Sequence, residues 1–442
     1  DSLRNHNAKK FWGVVNNNKN SRLQTDIQCL NAESFVIGFK ENFADSITKQ
    51  DRMFLESAGS ISRIHHKISA CPFRNKRDRE KMKLLDSNPY LFPFKNMVYD
   101  LQNDIARPIE KEDYITKTTG NNARLINEIP DEEFECIKYF YEMILPKEDE
   151  RLFFQMLVAA CLPLSTKEKI LVILTDRRKG NNGKSTLMDS ICGIFGELAR
   201  YGDISLLTDQ SSSLNGHDAG LFQYKNKRLA FIDETDGSKQ ISSSRAKKIT
   251  SGGKNKISGR KFMSGEYEEF RWTATPFVNC NDGEFVKIKA TDSALLNRLK
   301  VVPFRSRFDF ETENDPSTYT YKINTDFVEK IMSLHDTHFY VLLDAYRKYK
   351  CERYIKEPEF SVVFKEGLIQ SSDALYGAVC EFIEEHCEIT ENETDDISRK
   401  EFITNFREIY EQYRNPSKYQ TTNVFNLFKK ALHNKDRKST RL

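Results

Sequence analysis

Apolar positions change period abruptly between Lys169 and Ser190. Ile170 to Leu174 is an unbroken apolar run rich in β-branched residues, long enough for a buried parallel strand and too short for most helices. Leu187, Ile191 and Ile194 then recur at helical spacing, so a helix opens at Lys184-Ser185-Thr186. A loop of charge and glycine joins the two. Two further buried-type strands follow, Arg228 to Glu234, ending in a pair of carboxylates, and Thr275 to Asn281, ending in an amide.

Upstream, residues 1–165 read as mainly helical, with mixed apolar spacing at Phe35 to Phe43 and Met53 to Ile68. Tyr139 to Leu162 contains an amphipathic packing helix with Asp149 or Glu150 in its first turn. Leu334 to Tyr349 is helical and aromatic, and Ala378 to Cys387, Ser398 to Tyr413 and Thr421 to Leu432 make three more helices. The chain therefore divides into a mainly helical region at 1–165, an α/β core at 166–330 and a helical region at 331–442.

Strand, glycine loop and helix in that order are the setting in which a chain cradles phosphate. Gly180 and Gly183 let the backbone curl so that N–H groups face phosphate oxygens, and the helix N-terminus adds its dipole. Gly180, Asn181, Asn182, Gly183, Lys184, Ser185 and Thr186 are the candidate nucleotide-binding residues, with Lys184 reaching the β- and γ-phosphates and Ser185 offering its hydroxyl to Mg²⁺. The general pattern G-x-x-x-x-G-K-[ST] has a first glycine where this chain has Arg178, and Gly180 supplies the flexibility two residues later.

In an α/β sheet, catalytic groups gather at the carboxyl ends of the strands, which brings Asp233 and Glu234 beside that loop. Asp233 is the candidate metal carboxylate, and Glu234 the group that orients or deprotonates the attacking water. Lys247 to Lys261 holds six basic residues and no acid. Gly252, Gly253 and Gly259 break any helix there, and a strand is expected to turn at Ser264-Gly265 and return through Tyr267 to Trp272.

Composition narrows the class. The 442 residues suffice for two or three domains, and 38% hydrophobic with 30% charged residues describes a soluble globular protein. A net charge of +3 names no partner, whereas the clustering of basic residues at Arg74 to Lys83, Lys247 to Lys261 and the C-terminus, against acids at Glu381 to Asp396, is more telling. Nine scattered cysteines with no C-x-x-C pairing point to a reducing compartment and away from zinc. Adjacent His65-His66 face different sides of any element and make no metal site. No apolar run is long enough to span a membrane, and no signal peptide is visible. The first residue is Asp1, so we expect part of a longer protein.

The loop form G-N-N-G-K-S-T resembles that of superfamily 3 viral helicases. Leu91 to Leu101, LFPFKNMVYDL, followed by Pro108, Asp113-Tyr114-Ile115 and Lys117, resembles the F-K-N-G-V-x-D-L segment of the primase-helicases of poxviruses and other large DNA viruses, with Met97 in the glycine position. Asp292 to Phe308 is similar to the run D-x-A-x-x-x-R-[IL]-x-x-[IV]-x-F of the same family. The ordered set covers roughly residues 60–310. It implies a parallel-sheet P-loop ATPase core, AAA+-like, assembled as a homo-hexamer on single-stranded or forked DNA with other replication proteins. It also implies ATP and Mg²⁺ as cofactors, no membrane, and the host cytoplasm as the place of action; the primase domain of such proteins lies N-terminal. By the same resemblance Asn281, with Asn279 as second choice, senses the γ-phosphate. Arg298 is the arginine finger, and the hairpin carries Lys254, Lys256, Arg260 and Lys261 to DNA, whose phosphates such residues track without reading sequence.

For the C-terminal region, a winged-helix DNA-binding module and a packing domain that closes the ring both remain open. A P-loop kinase or GTPase would explain the loop alone, without the hairpin and the downstream arginine. A scaffold that binds nucleotide without turnover fits most features, but has no need of Glu234.

Overall fold

Three short strands, Leu91–Pro93 (β1), Val98–Asp100 (β2) and Ile105–Arg107 (β3), pair antiparallel in the order β1-β2-β3. The computed structural model describes residues 84–164, 168–176, 180–208, 219–233, 238–260, 267–281, 286–388 and 397–439. The chain divides into two compact units, Asp1–Asn122 and Ala123–Leu442. In the first, the expectation of helix is corrected over residues 84–122, where the only helix is one turn at Lys111–Asp113. Leu91, Phe92, Phe94, Val98 and Tyr99 are all buried; the i, i+3, i+7 spacing of Leu91, Phe94 and Val98 also suits a helical face, so apolar spacing alone could not tell strand from helix here. The turn between β1 and β2 closes with Phe94 N donating to Met97 O at 2.9 Å, and Met97 is absent from the residues with positive φ, so no glycine is needed there. Asp100, the acid of the F-K-N segment, accepts from the backbone amides of Gln102 and Asn103 at 2.9 and 3.1 Å and is a turn-former. Phe35 to Phe43, Met53 to Ile68 and His65-His66 lie outside the described residues.

The second unit is built on five parallel strands: Leu171–Asp176 (β4), Ala199–Gly202 (β5), Leu229–Ile232 (β6), Thr275–Asn279 (β9) and Leu299–Phe304 (β10), in the order β10-β4-β9-β6-β5. An antiparallel hairpin of Lys256–Arg260 (β7) and Tyr267–Arg271 (β8) lies between β6 and β9 in sequence. Every residue of β4 is buried, because a parallel strand is covered on both faces; this is why it reads as an unbroken apolar run.

Helices Asp131–Ile144 (α1), Glu148–Ala159 (α2) and Lys184–Phe195 (α3) contact one another through His335–Glu352, which we label α6 after Ser243–Ile249 (α4) and Thr325–Ser333 (α5). Glu148, Asp149 and Glu150 occupy the first turn of α2, as expected. Beyond come Glu359–Ser372 (α7), Ala374–His386 (α8), Arg399–Ile409 (α9) and Thr421–Ser439 (α10). Leu171 and Ile173 of β4, Ile257, Phe270 and Trp272 of the hairpin region, and Phe382, Phe402, Phe406 and Phe428 of the C-terminal helices belong to one continuous core. The C-terminal helices thus pack into the same core as the sheet. Among the described residues, no strand follows Thr320–Lys322 that could form a wing.

Candidate active site

Register fixes the site before any side chain is considered. Ile232 of β6 pairs with Val278 of β9, which carries the next residues, Asp233 and Asn279, to neighbouring positions at the carboxyl ends of the two strands. Leu174 of β4 pairs with Asn279, so the loop leaving β4 starts beside them. Gly180, Asn181 and Gly183 take φ of +75°, +52° and +79°, the left-handed turns that curl this loop. Gly183 is required twice over: it caps α3 with positive φ, and an added Cβ would come within 3.0 Å of Ile144 Cγ1. The loop is pinned from outside by Phe308, whose N donates to Asn181 O at 2.7 Å.

Two polar clusters result. In one, Ser185 Oγ donates to Asp233 Oδ1 at 3.1 Å, and Asn279 Nδ2 donates to Asp233 Oδ1 at 2.7 Å and to Ser185 Oγ at 3.2 Å. Asn279 Oδ1 is buried with no hydrogen-bond partner. In the other, Lys184 Nζ donates to Asn281 Oδ1 at 3.2 Å and pairs with Asp176 Oδ2, which also accepts from Asn182 Nδ2. Lys184 N donates to Asn182 Oδ1 at 3.3 Å, so the asparagine ahead of the G-K pair braces both the loop and the lysine's partner.

The structure therefore brings together Asn182, Lys184, Ser185, Asp233 and both candidate asparagines. Asn281 touches the lysine and Asn279 the serine and carboxylate. Asp176 was missed by motif reading; its one signal was a lone acid closing an otherwise apolar strand. Glu234 and Arg178 lie outside the described residues.

Arg298 is not part of this constellation. It immediately precedes β10, its carbonyl accepts from Leu171 N at 2.8 Å, and Leu171 is the first residue of β4, so it stands at the amino end of the sheet. Phe304, at the far end of β10, is the residue that pairs with Asp176. Six residue steps at about 3.3 Å put Arg298 about 20 Å along the strand from its own phosphate loop. Its Nη1 donates to Ala294 O, and Nε is buried without a partner. Asp292, of the same motif, is an N-cap that accepts from Leu295 N at 3.1 Å and pairs with Lys247 at 3.1 Å.

The hairpin forms as expected, with Lys256 opposite Arg271 and Arg260 opposite Tyr267. Ile257 and Phe270 bury its inner face while Lys254 and Lys256 stand exposed. Its charge is less one-sided than the outgoing strand implied, because the return strand brings Glu268 and Glu269, and Lys256 Nζ pairs with Glu269 Oε2 at 3.0 Å. Lys261 lies outside the described residues; for Arg260 only the backbone is described.

Residues 15–122 match the family profile described as "D5 N terminal like", which ends where the first compact unit ends. The chain is 31% identical over 281 residues to "Putative helicase L207/L206" of Acanthamoeba polyphaga mimivirus, covering 62% of this chain and 28% of that protein. It is 25% identical over 346 residues to "Putative helicase 184R" of Invertebrate iridescent virus 6, covering 73% and 34%. The chain thus spans about a quarter to a third of the length of these curated relatives, all from nucleocytoplasmic large DNA viruses. Of solved structures, "The apo structure of NrS-1 C terminal region" aligns at 13% identity over 77% of this chain and 70% of that one, with a TM-score of 0.40, a likeness on which nothing further rests. No helix among the described residues is long and apolar enough to cross a membrane.

Proposed function

We propose that this chain is the ATP-hydrolysing helicase part of a viral replicative primase-helicase, working on DNA as a ring with nucleotide at its subunit interfaces. One observation carries the reading. Ser185, Asp233 and Asn279 on one side, and Lys184 and Asn281 on the other, converge at the carboxyl ends of β4, β6 and β9 around a loop already curled for phosphate. Ser185 and Asp233 offer hard oxygen donors that suit Mg²⁺. Among the described residues no group of three His, Cys, Asp or Glu could hold a metal without help, so phosphate oxygens would complete the shell. Bound there, Mg²⁺ would neutralise charge developing between the β- and γ-phosphates.

In this reading the loop amides and Lys184 bind the triphosphate, Asn281 positions the ammonium, and Asn279 orients Asp233 and Ser185. Glu234 orients the attacking water, and Arg298 completes a neighbour's pocket. The hairpin lysines follow the DNA backbone. The test is to measure ATP hydrolysis and unwinding of forked DNA, with particle mass in the presence and absence of an ATP analogue and single-stranded DNA. Expected are a hexamer stabilised by both ligands and DNA-stimulated hydrolysis that Lys184→Ala abolishes. A monomer that hydrolyses ATP indifferently to DNA would favour another phosphotransferase, and one that binds ATP without turnover a scaffold.

A further inference from the structure

Asp176 closes β4 with its side chain 1% exposed, and the lysine it faces is 3% exposed. Lys184 Nζ and Asn182 Nδ2 both donate to its Oδ2, so the ammonium the phosphate loop has to offer is already neutralised by a carboxylate of the same chain. An ammonium taken so far out of water needs an anion beside it, and within the chain that anion is Asp176. Asp233 differs: it is exposed, and a hydrated cation can approach it. Asp176 is sealed in, so its charge acts on an incoming ligand mainly through Lys184.

A phosphate in the loop is a rival for the same ammonium, and two anions crowded onto one buried cation repel each other. We propose that Asp176 is an internal stand-in for phosphate. It holds Lys184 and Asn182 in the curled loop until a nucleoside triphosphate takes the ammonium from it, and it reclaims the ammonium as product leaves. Asn281, at 3.2 Å from Nζ, is a neutral partner that Lys184 need not surrender in the exchange. Asp176 is thus a positioning residue that lowers nucleotide affinity by competition and hastens product release. The inference rests on the nucleotide-site reading above.

Asp176→Asn keeps the shape and removes the charge. Direct titration with Mg·ATP and Mg·ADP should show binding about tenfold tighter or more, with ADP release slowed by a similar factor. Without nucleotide the variant should melt below the parent protein, and saturating Mg·ADP should close most of that gap. Asp176→Glu, which restores the charge, should return affinity toward the parent value. Equal or weaker affinity in the asparagine variant overturns the proposal, because the carboxylate would then assist binding. A loss of thermal stability of the same size with and without ADP overturns it too, as does a variant that stays unfolded even in saturating ADP. If the unmodified chain binds no nucleotide, the failure belongs to the site reading and appears before any variant is made.

Discussion

Asn279 and Asn281 stand two residues apart yet serve different halves of the site. Asn279→Ala removes a donor 2.7 Å from Asp233 and 3.2 Å from Ser185, so it should raise the Mg²⁺ concentration needed for half-maximal ATPase by about tenfold, the worth of one such bond to a charged group. Asn281→Ala instead removes the 3.2 Å partner of the Lys184 ammonium and should lower kcat by about tenfold to a hundredfold with the Mg²⁺ response unchanged. A Mg²⁺ titration of both variants checks the division, and interchanged phenotypes would refute it. Residue types at the strand ends were legible because a strand ending in an acid or amide beside a glycine loop has few other uses. Asp176 was not, since its link to Lys184 exists only once Gly180, Asn181 and Gly183 take left-handed φ. Glu150 was read as a first-turn acid; it is also buried against Arg305, 2.7 Å away, a partner far off in sequence.

At the scale of elements, α3 is tied to its neighbours by a buried relay: Ser190 Oγ lies 3.0 Å from His338 Nδ1 of α6, and His338 Nε2 lies 2.7 Å from the Tyr141 hydroxyl of α1. Burial pushes His338 from its ordinary 6.5 down to about 3, and His335 is lowered for the same reason. The unfolded chain therefore takes up a proton that the folded chain refuses between these values. Stability is fully present above pH 6.5 and is lost as pH falls below it, by about 1.4 kcal/mol per unit at most for His338. Urea unfolding at pH 7 and pH 5 should show the loss, and His338→Gln should flatten it. The hairpin yields a second expectation: Lys254→Ala should lower the slope of log affinity for single-stranded DNA against log salt by about 0.7, and Lys256→Ala by less, because Glu269 already holds Lys256 at 3.0 Å. No effect from either would return the hairpin to a solvated surface, and equal effects would show that Glu269 does not hold Lys256 away from the DNA. Periodicity located β4, β6, β9 and most helices. It missed β1 to β3 and β5, strands of only three or four residues, β10, and α7, whose Val362 and Val363 stay exposed.

At the scale of the whole molecule, the sequence placed β4, β6, β9 and the hairpin but not the reason why α1 and α2 belong with the sheet, which lies in long-range packing against α6. Nor could spacing say at which end of the sheet Arg298 stands. At the amino end, about 20 Å along β10 from the loop it follows in sequence, Arg298 cannot reach the phosphates of its own subunit by side-chain extension alone. In the proposed ring the amino edge of one sheet would stand against the pocket of the next, where the guanidinium would stabilise charge on the transferred phosphoryl group. Arg298→Ala should then bind ATP almost normally and hydrolyse it poorly, because every neighbour is also a mutant. Lys184→Ala fails for the opposite reason, with intact fingers facing crippled pockets. Subunits of the two variants, dissociated and reassembled together, place some intact pockets against intact fingers, so ATPase should rise above both parents and peak at intermediate ratios. If Arg298 serves its own chain or only packs against Ala294, no mixture can create a site that neither parent had. The measurement is ATPase across mixing ratios on particles shown by mass to be mixed; a strictly additive line would remove the finger in trans, and with it the strongest reason for expecting an obligate ring.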